Sequence, residues 1–422
     1  MKRSKQHPFR NKLALNLGLT VLLLPIGLIA ESPDHAILQS SDSLNYSEVF
    51  RAAMARTPEL PLGDAYRDQA AAQQNFAGDW LASRPRATAS YWDDQQADNQ
   101  GMREMEAGVE VDLWRWGQRR DNASLGDQYR QASKSWGNYL ALKIAGLVRQ
   151  SLHELSRTDI AFAQAHRALD DTRELLRISE TLHNTGSIAR SALMQSRGLV
   201  LEAEKRLLDS EAALVDAQRN YQIVTGLHRR PSVAFSEERS QRQAIDSGHP
   251  LLGFLQDQAK SRQLQAQLAR HDSAGNPTLF MGMRRERGSS GEEDIDSLGI
   301  AITMPFGGGN YISAKSSAAR LAATEAEVRV IQAHRQLQQQ LHEVEHQLES
   351  TRRSLELGRE QQALHRQHWQ MAKKAFSLGE TDILPAIQAL QRYRESRLRY
   401  QLTELDQQRL VSEFNQTVGV LP

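Results

Sequence analysis

Apolar residues recur every three or four positions through residues 118–183, and Arg, Gln, Asp and Glu fill the positions between them. This spacing places the apolar side chains on one narrow stripe of an α-helix. Because no proline interrupts the stretch, we predict one continuous helix, about 100 Å long at a rise of 1.5 Å per residue. Such a helix requires partner helices along its length, since a narrow stripe is not stable in water alone.

A glycine-containing turn ends this helix, and a second turn of the same kind occurs later in the chain. The turns are Asn184-Thr185-Gly186-Ser187 and Ser377-Leu378-Gly379-Glu380. Asn and Gly tolerate the left-handed backbone conformation that ends many helices. We therefore predict two helical hairpins. Their long helices cover 118–183 and 310–378, and their returning helices cover 189–226 and 384–419.

Short stretches before each long helix have the period of β-strands. Apolar residues alternate with acidic residues or glycine from Met105 to Leu113, which predicts a strand. The four predicted strands cover about 86–92, 104–114, 278–284 and 296–304. Two interpretations remain open for them. One is a hairpin packed on a soluble core; the other is part of a membrane barrel, and Trp92, Trp114 and Trp116 at the strand ends are typical of the barrel.

The hairpins and strands belong to an internal repeat. Proline and glycine landmarks recur 192 or 193 residues apart, which is difficult to explain by chance. The pairs are Pro58 and Pro250, Pro85 and Pro277, Gly117 and Gly309, Gly186 and Gly379, and Gly226 and Gly419. We therefore divide the chain into a first repeat over 31–249 and a second over 250–422, with the order helix, strand, strand, long helix, returning helix.

Composition and the N-terminus restrict the class of protein. The net charge of +1 and the lack of a basic cluster after residue 30 give no support for nucleic-acid binding. The absence of cysteine excludes disulfides and thiol chemistry. Basic residues followed by the apolar stretch 13–29 predict a signal peptide over residues 1–30. An uncleaved anchor is the alternative, which Pro25 and Gly27 disfavour.

No pattern of residues calls for catalysis, a cofactor or a metal. His342 and His346, and likewise His365 and His368, have helical spacings that suit metal ligands, but neither pair has a third ligand in a motif. Solvated histidines on an exposed helix are the preferred interpretation. The sequence therefore predicts a protein that is not an enzyme.

The order of these elements resembles that of TolC-type outer-membrane efflux proteins, and three segments resemble the turns and joints of that family. They are Leu113 to Arg119, Met304 to Gly309, and Leu378 to Leu384. The resemblance implies a mainly α fold with a small β part. It implies a homotrimer in the bacterial outer membrane, with a 12-stranded β-barrel among lipids and an α-helical tunnel through the periplasm. A periplasmic adaptor (membrane fusion protein) and an inner-membrane pump, expected to be of the resistance-nodulation-division type, are the implied partners.

The resemblance also assigns roles to residues. The tips of the hairpins would form the periplasmic entrance and contact the adaptor; the matching residues are Asn184, Thr185, Gly186, Arg190, Phe376, Gly379, Glu380 and Asp382. Some family members narrow the entrance with acidic residues, but Pro385 and Gln388 occupy those positions here. We hypothesise that Arg190 opposite Glu380 or Asp382 helps to close it instead.

Acidic residues of one predicted strand would face the lumen of the barrel. They are Glu104, Glu106, Glu110 and Asp112. They would make the lumen negative and favour cations, or they would only keep the pore hydrated.

The predicted function is a passive channel that exports small molecules or cations from the periplasm or from an inner-membrane pump. Three alternatives remain open. The chain could be a type I protein-secretion duct of the same family, a periplasmic adaptor, or a coiled-coil scaffold. The alternation of Met105–Leu113 and the presence of two hairpins favour the channel over the last two.

Overall fold

The computed structural model describes residues 38–422, so the predicted signal peptide over 1–30 lies outside the described residues. Seven helices and six strands follow one another in that range, and most described residues are helical. Across 38–422, no helix is both long and apolar enough to cross a membrane.

The order helix, two strands, long helix and returning helix occurs twice in the described chain. The helices are α1 Tyr46–Arg56, α2 Leu60–Gly78, α3 Gln118–Asn184, α4 Arg190–Thr225, α5 Pro250–Ala274, α6 Gly309–Ser377 and α7 Ile383–Thr417. The strands are β1 Gln39–Ser41, β2 Arg86–Asp93, β3 Arg103–Asp112, β4 Arg229–Pro231, β5 Thr278–Arg287 and β6 Ile295–Thr303.

The bounds of the strands differ from the sequence prediction more than those of the long helices. The helices start and end within two residues of the predicted ranges. The prediction 278–284 was too short, because β5 continues through the charged residues to Arg287, where it pairs with Arg103 of β3. The prediction 104–114 was too long, because pairing ends at Asp112, opposite Thr278.

Four strands form one antiparallel sheet in the order β2-β3-β5-β6. The central pair, β3 with β5, joins the two halves of the chain, and its register runs from Arg103 opposite Arg287 to Asp112 opposite Thr278. The outer strands β2 and β6 each have one partner among the described residues. Both outer edges therefore carry backbone groups with no strand beside them.

Helix α3 is the central element of the helical part. The short helices α2 and α5 pack along it, and α4 and α7 also contact it. It buries apolar residues along its length, among them Leu125, Leu140, Val148, Leu152 and Leu175. Helix α6 packs mainly on α5 and α7, and a much smaller part of it is buried. The partner helices that the narrow stripe of α3 requires are thus supplied by both halves of the chain.

Aromatic residues build the largest core, midway along α3. Trp136 contacts Tyr66, Tyr139 and Phe254, with ring centroids 5.3 to 5.6 Å apart. Tyr221 of α4 is fully buried in the same cluster, and its hydroxyl donates to the carbonyl oxygen of Arg229 at 3.1 Å. Beside this core, β1 and β4 form a short parallel pair.

One buried ion pair connects this core to the end of the second half. The guanidinium of Arg149, whose side chain is 4% exposed, donates to both carboxylate oxygens of Glu237 at 2.9 and 2.8 Å. Its third nitrogen donates to Gln416 Oε1 at 2.6 Å, and two nitrogens reach the carbonyl oxygen of Val420 at 3.3 Å. Arg149 therefore holds α3, the connector after β4 and the end of α7 together.

Arg149→Ala is expected to lower the free energy of unfolding by about 3–5 kcal/mol, because it leaves the Glu237 carboxylate buried without its partner. Urea unfolding followed by circular dichroism measures the change. Arg130→Ala on the same helix is the control. Its ion pair with Asp127 is exposed, so we expect a change below about 1 kcal/mol. Equal effects of the two substitutions would contradict the role given to Arg149.

Candidate functional site

The sheet has one polar and one apolar face, as the alternation in β3 predicts. The four acidic residues of β3, Glu104, Glu106, Glu110 and Asp112, share one face because they occupy every second position. Charged residues of the neighbouring strands lie in the same rows: Arg284 is opposite Glu106, Glu286 is opposite Glu104, and Arg86 is opposite Glu110. The polar face is therefore a mixed network of acids and arginines.

Two arginines from neighbouring strands, which the alternation within β3 does not reveal, bind the predicted carboxylates. Arg284 lies 3.1 Å from a carboxylate oxygen of Glu104 and 3.1 Å from one of Glu106. Arg86 donates to both oxygens of Asp112, at 2.9 and 3.0 Å, and lies 3.5 Å from Glu110. Alternation identifies the face of one strand, but only the register between strands shows which side chains meet.

The opposite face of the sheet is exposed and mostly apolar, with the Arg285–Asp296 ion pair near the strand-connecting loops. Its side chains come from β3, β5 and β6, and include Met105, Val109, Met281, Met283, Leu298, Ile300 and Ile302. A hairpin packed on a soluble core would bury these side chains, whereas each is more than a third exposed. Trp116 and Phe306, at the end of the sheet where the long helices begin, are both 99% exposed. Within residues 38–422, no other segment covers this apolar surface.

Three glycines lie side by side across the middle of the polar face. Gly282 of β5 is opposite Gly108 of β3 and Gly299 of β6. The ring of Phe280 lies over the first two, so that a Cβ atom at Gly108 or Gly282 would be 2.4 Å from a ring carbon. Glycine is required at both positions by this close approach. An uncharged aromatic band thus separates the two groups of charged residues.

The two hairpin turns come together at the other end of the molecule. Gly186 and Gly379 have φ angles of 76° and 74°, and each turn is closed in the same way. Ser187 N donates to Leu182 O at 2.8 Å, and Glu380 N donates to Ala375 O at 3.0 Å. This is the hydrogen-bond pattern of a Schellman motif, for which a left-handed glycine is best suited.

Side chains from all four long helices pack beneath the turns. We name this group the tip cluster; its buried members are Leu175, Trp369, Phe376, Ile383, Ala386, Ile387, Ala389 and Leu390, and Ile188 and Ala192 of the α4 side pack against them. Ser179 of α3 and Ser196 of α4 are also buried there, and their hydroxyls are 2.6 Å apart. The cluster fixes the two turns relative to one another.

The predicted tip residues fall into two groups. Asn184, Thr185, Gly186, Arg190, Gly379, Glu380 and Asp382 are exposed. Phe376 is 0% exposed and belongs to the tip cluster, so within the chain it stabilises the tip and offers no contact surface. Among residues 38–422, no ion pair joins Arg190 to Glu380 or Asp382, and that contact stays a hypothesis for an assembly.

Other charge pairs connect the helices above the tip. Arg394 of α7 lies 3.6 Å from Asp171 of α3 and also donates to the carbonyl oxygen of Ala168. Burial lowers the pKa of Arg394 to about 10 and raises the pKa of Asp171. Lys373 of α6 lies 2.5 Å from Glu174 of α3. The arginine therefore stays charged at neutral pH, and both pairs join the first hairpin to the second.

The histidine pairs of α6 have no third ligand grouped with them in the described chain. Within residues 38–422, no group of three or more His, Asp or Glu side chains is arranged to hold a metal ion. His365 Nδ1 instead lies 3.1 Å from the carbonyl oxygen of Arg392.

Comparison with known proteins identifies the fold, which is that of bacterial outer-membrane channels. No protein-family model and no curated protein matches the sequence. Among solved structures, the Campylobacter jejuni outer-membrane channel CmeC has a TM-score of 0.71 and 15% identity, over 98% of this chain and 94% of that one.

Two further structures have the same fold. CusC, studied for its folding and transmembrane channel formation, has a TM-score of 0.71 and 15% identity, over 91% of this chain and 97% of that one. The outer-membrane protein VceC of Vibrio cholerae has a TM-score of 0.70 and 16% identity, over 89% and 96%. The resemblance found in the sequence is confirmed for the fold.

Phe376→Ala is expected to destabilise the tip by about 3–5 kcal/mol, since it removes a fully buried ring from the tip cluster. Hydrogen exchange of the first turns of α4 and α7 should become faster, while that of the aromatic core around Trp136 should not change. Leu384→Ala is the control, because Leu384 is 54% exposed beside the cluster. Unchanged exchange in Phe376→Ala would show that the ring does not hold the two turns together.

Proposed function

We propose that the protein is a passive outer-membrane channel, in which three copies form a 12-stranded β-barrel continued by a periplasmic α-helical tunnel. The main support for the proposal comes from the faces and edges of the four-stranded sheet. Its apolar face is exposed and its other face is polar, and among the described residues both its outer strands lack a partner at one edge. In a closed barrel the apolar face meets lipid, the polar face lines water, and no edge remains.

Four strands are too few to close a barrel, so the proposal requires further copies of the chain. Each of the two inferred repeats, 31–249 and 250–422, supplies one hairpin of strands, and β3 pairs with β5 where the repeats meet. The equivalent contact between copies would be β6 with β2 of the next subunit. A closed ring with cyclic symmetry uses the same contact at every interface.

Exposed apolar stripes on the helices support contacts between copies. On and just after α6, Leu357, Leu364, Met371 and Leu378 are exposed at intervals of seven residues; on α4, Met194, Leu201 and Leu208 are exposed at the same interval. A seven-residue period keeps a stripe on one side of a supercoiled helix. Both stripes begin at the tip, so α4 of one copy can lie beside α6 of another.

The lengths of the helices indicate where most of the protein would lie relative to the outer membrane. Helices α3 and α6 are each about 100 Å long at 1.5 Å per residue. With the sheet in the outer membrane, most of the protein would extend into the periplasm. Its exposed tip, with Arg190, Glu380 and Asp382, would meet a periplasmic adaptor and, through it, an inner-membrane pump of the resistance-nodulation-division type.

Small molecules or cations are the proposed cargo, and no chemical step is assigned to the protein. The charged network on the polar face supports passage of polar solutes through water. A type I protein-secretion duct would use the same architecture and differ in its pump. The exposed apolar face and free edges of the sheet favour a channel over an adaptor or a coiled-coil scaffold.

Purified protein in a planar bilayer is expected to give stable current steps with a preference for cations, because the polar face carries more carboxylates than arginines. Conductance and reversal potential in a KCl gradient provide the measurement. Protein that stays monomeric and does not associate with lipid vesicles would contradict the channel and support the adaptor or scaffold.

Leu364→Asp is expected to raise the protein concentration needed to form the trimer more than tenfold. The substitution introduces a charge into the stripe proposed to be buried between copies. Analytical ultracentrifugation in detergent measures the change. Gln370→Asp adds the same charge on a different side of α6 and should leave the trimer intact. An equally stable trimer in Leu364→Asp, with normal helical content, would exclude the α6 stripe as an interface.

A further inference from the structure

The polar face of the sheet carries two clusters of charge, one at each end. The cluster nearer the strand-connecting loops contains Glu104, Glu106 and Glu286 around Arg284. The cluster nearer the long helices contains Glu110 and Asp112 around Arg86. Between them lies the uncharged band of Phe280 and its glycines.

Arg284 lies among three carboxylates and does not form an exclusive pair with any single one of them. Its Nε lies 3.1 Å from Glu104, one terminal nitrogen lies 3.1 Å from Glu106, and the other lies 3.7 Å from Glu286. Glu104 and Glu106 belong to β3, whereas Glu286 belongs to the same strand as Arg284. One guanidinium thus lowers the repulsion among three acids that the register of β3 and β5 brings together.

The arginines change the charge of the face substantially. Five carboxylates and two guanidinium groups give a net charge of −3 for each chain, against −5 for the acids alone. A guanidinium and a carboxylate about 3 Å apart act on a passing ion largely as a dipole. The carboxylates in excess of the arginines act as full negative charges. At 0.1 M salt the screening length is about 10 Å, so an ion within a hydrated pore still senses a charge on its wall.

We propose that Arg284, together with Arg86, determines the ion selectivity of the channel. The two arginines hold the acidic wall in a partly neutralised network and so limit its preference for cations. Loss of Arg284 frees Glu104, Glu106 and Glu286 and strengthens that preference. This inference rests on the proposed function, since it requires that the polar face of the sheet lines the path of ions.

The chain provides a matched control in the next residue of the same strand. Arg285 projects from the opposite face of β5, where it donates to the two carboxylate oxygens of Asp296 at 2.7 and 2.8 Å. Arg284 and Arg285 have the same charge and adjacent positions in β5. Only their faces differ, so a comparison of the two separates an effect on the pore wall from a general change in charge.

The experiment measures reversal potentials of the full-length trimer in a planar bilayer under a KCl gradient. Arg284→Gln is expected to raise the permeability ratio of K⁺ to Cl⁻ at least about twofold, and Arg284→Lys to stay near the wild type. Arg285→Gln is expected to change nothing. Glu104→Gln should lower the ratio, and Arg86→Gln should raise it even if Arg284→Gln fails to assemble.

The outcomes separate the inference from the proposed function. A wild-type trimer that inserts and conducts, with equal ratios for Arg284→Gln, Arg285→Gln and the wild type, would overturn the selectivity role and leave the channel standing. The same ratio change in Arg285→Gln would also overturn it, because the effect would not depend on the face. A wild-type protein that never conducts would remove the channel itself, and this inference with it.

Discussion

The fold depends on the need to cover the narrow apolar stripe of α3. A helix of this length with so few apolar positions is not stable alone. Its main packing partners are the four helices α2, α4, α5 and α7. Two of these, α5 and α7, come from the second half of the chain. The buried Arg149–Glu237 pair then connects α3 to the connector between the halves and to the end of α7. Neither half is therefore complete without the other.

The sheet and the helices of the described chain also leave surfaces exposed that other molecules could cover. In the part of the chain that the structure describes, β2 and β6 each have one edge without a partner strand, and the apolar face of the sheet is exposed. In the helices, α6 lacks on one side the packing that α3 has on both. In the proposed channel, further copies of the chain and the lipid would cover these surfaces.

The two ends of the molecule are built by different interactions. At the tip, apolar packing around Phe376 and two left-handed glycines fixes the turns, while the charged residues remain outside. At the sheet, charge pairing across strands organises the polar face, and Gly108 and Gly282 leave room for the ring of Phe280 between the charged clusters. Rigid packing suits a surface that is recognised by another protein. A hydrated, charged wall suits the passage of solutes.

Sequence alone determined the long and returning helices, the approximate positions of four strands, the turns and the face occupied by Glu104 and its neighbours, because each follows from periods of two or 3.6 residues or from a local glycine. The tertiary structure decided which charges meet: the placement of Arg284 among three acids depends on the register of two strands far apart in sequence. It also decided that Phe376 is buried, since helices from both hairpins surround that ring. Local periodicity contains no information about either contact, because both are made between segments that only folding brings together.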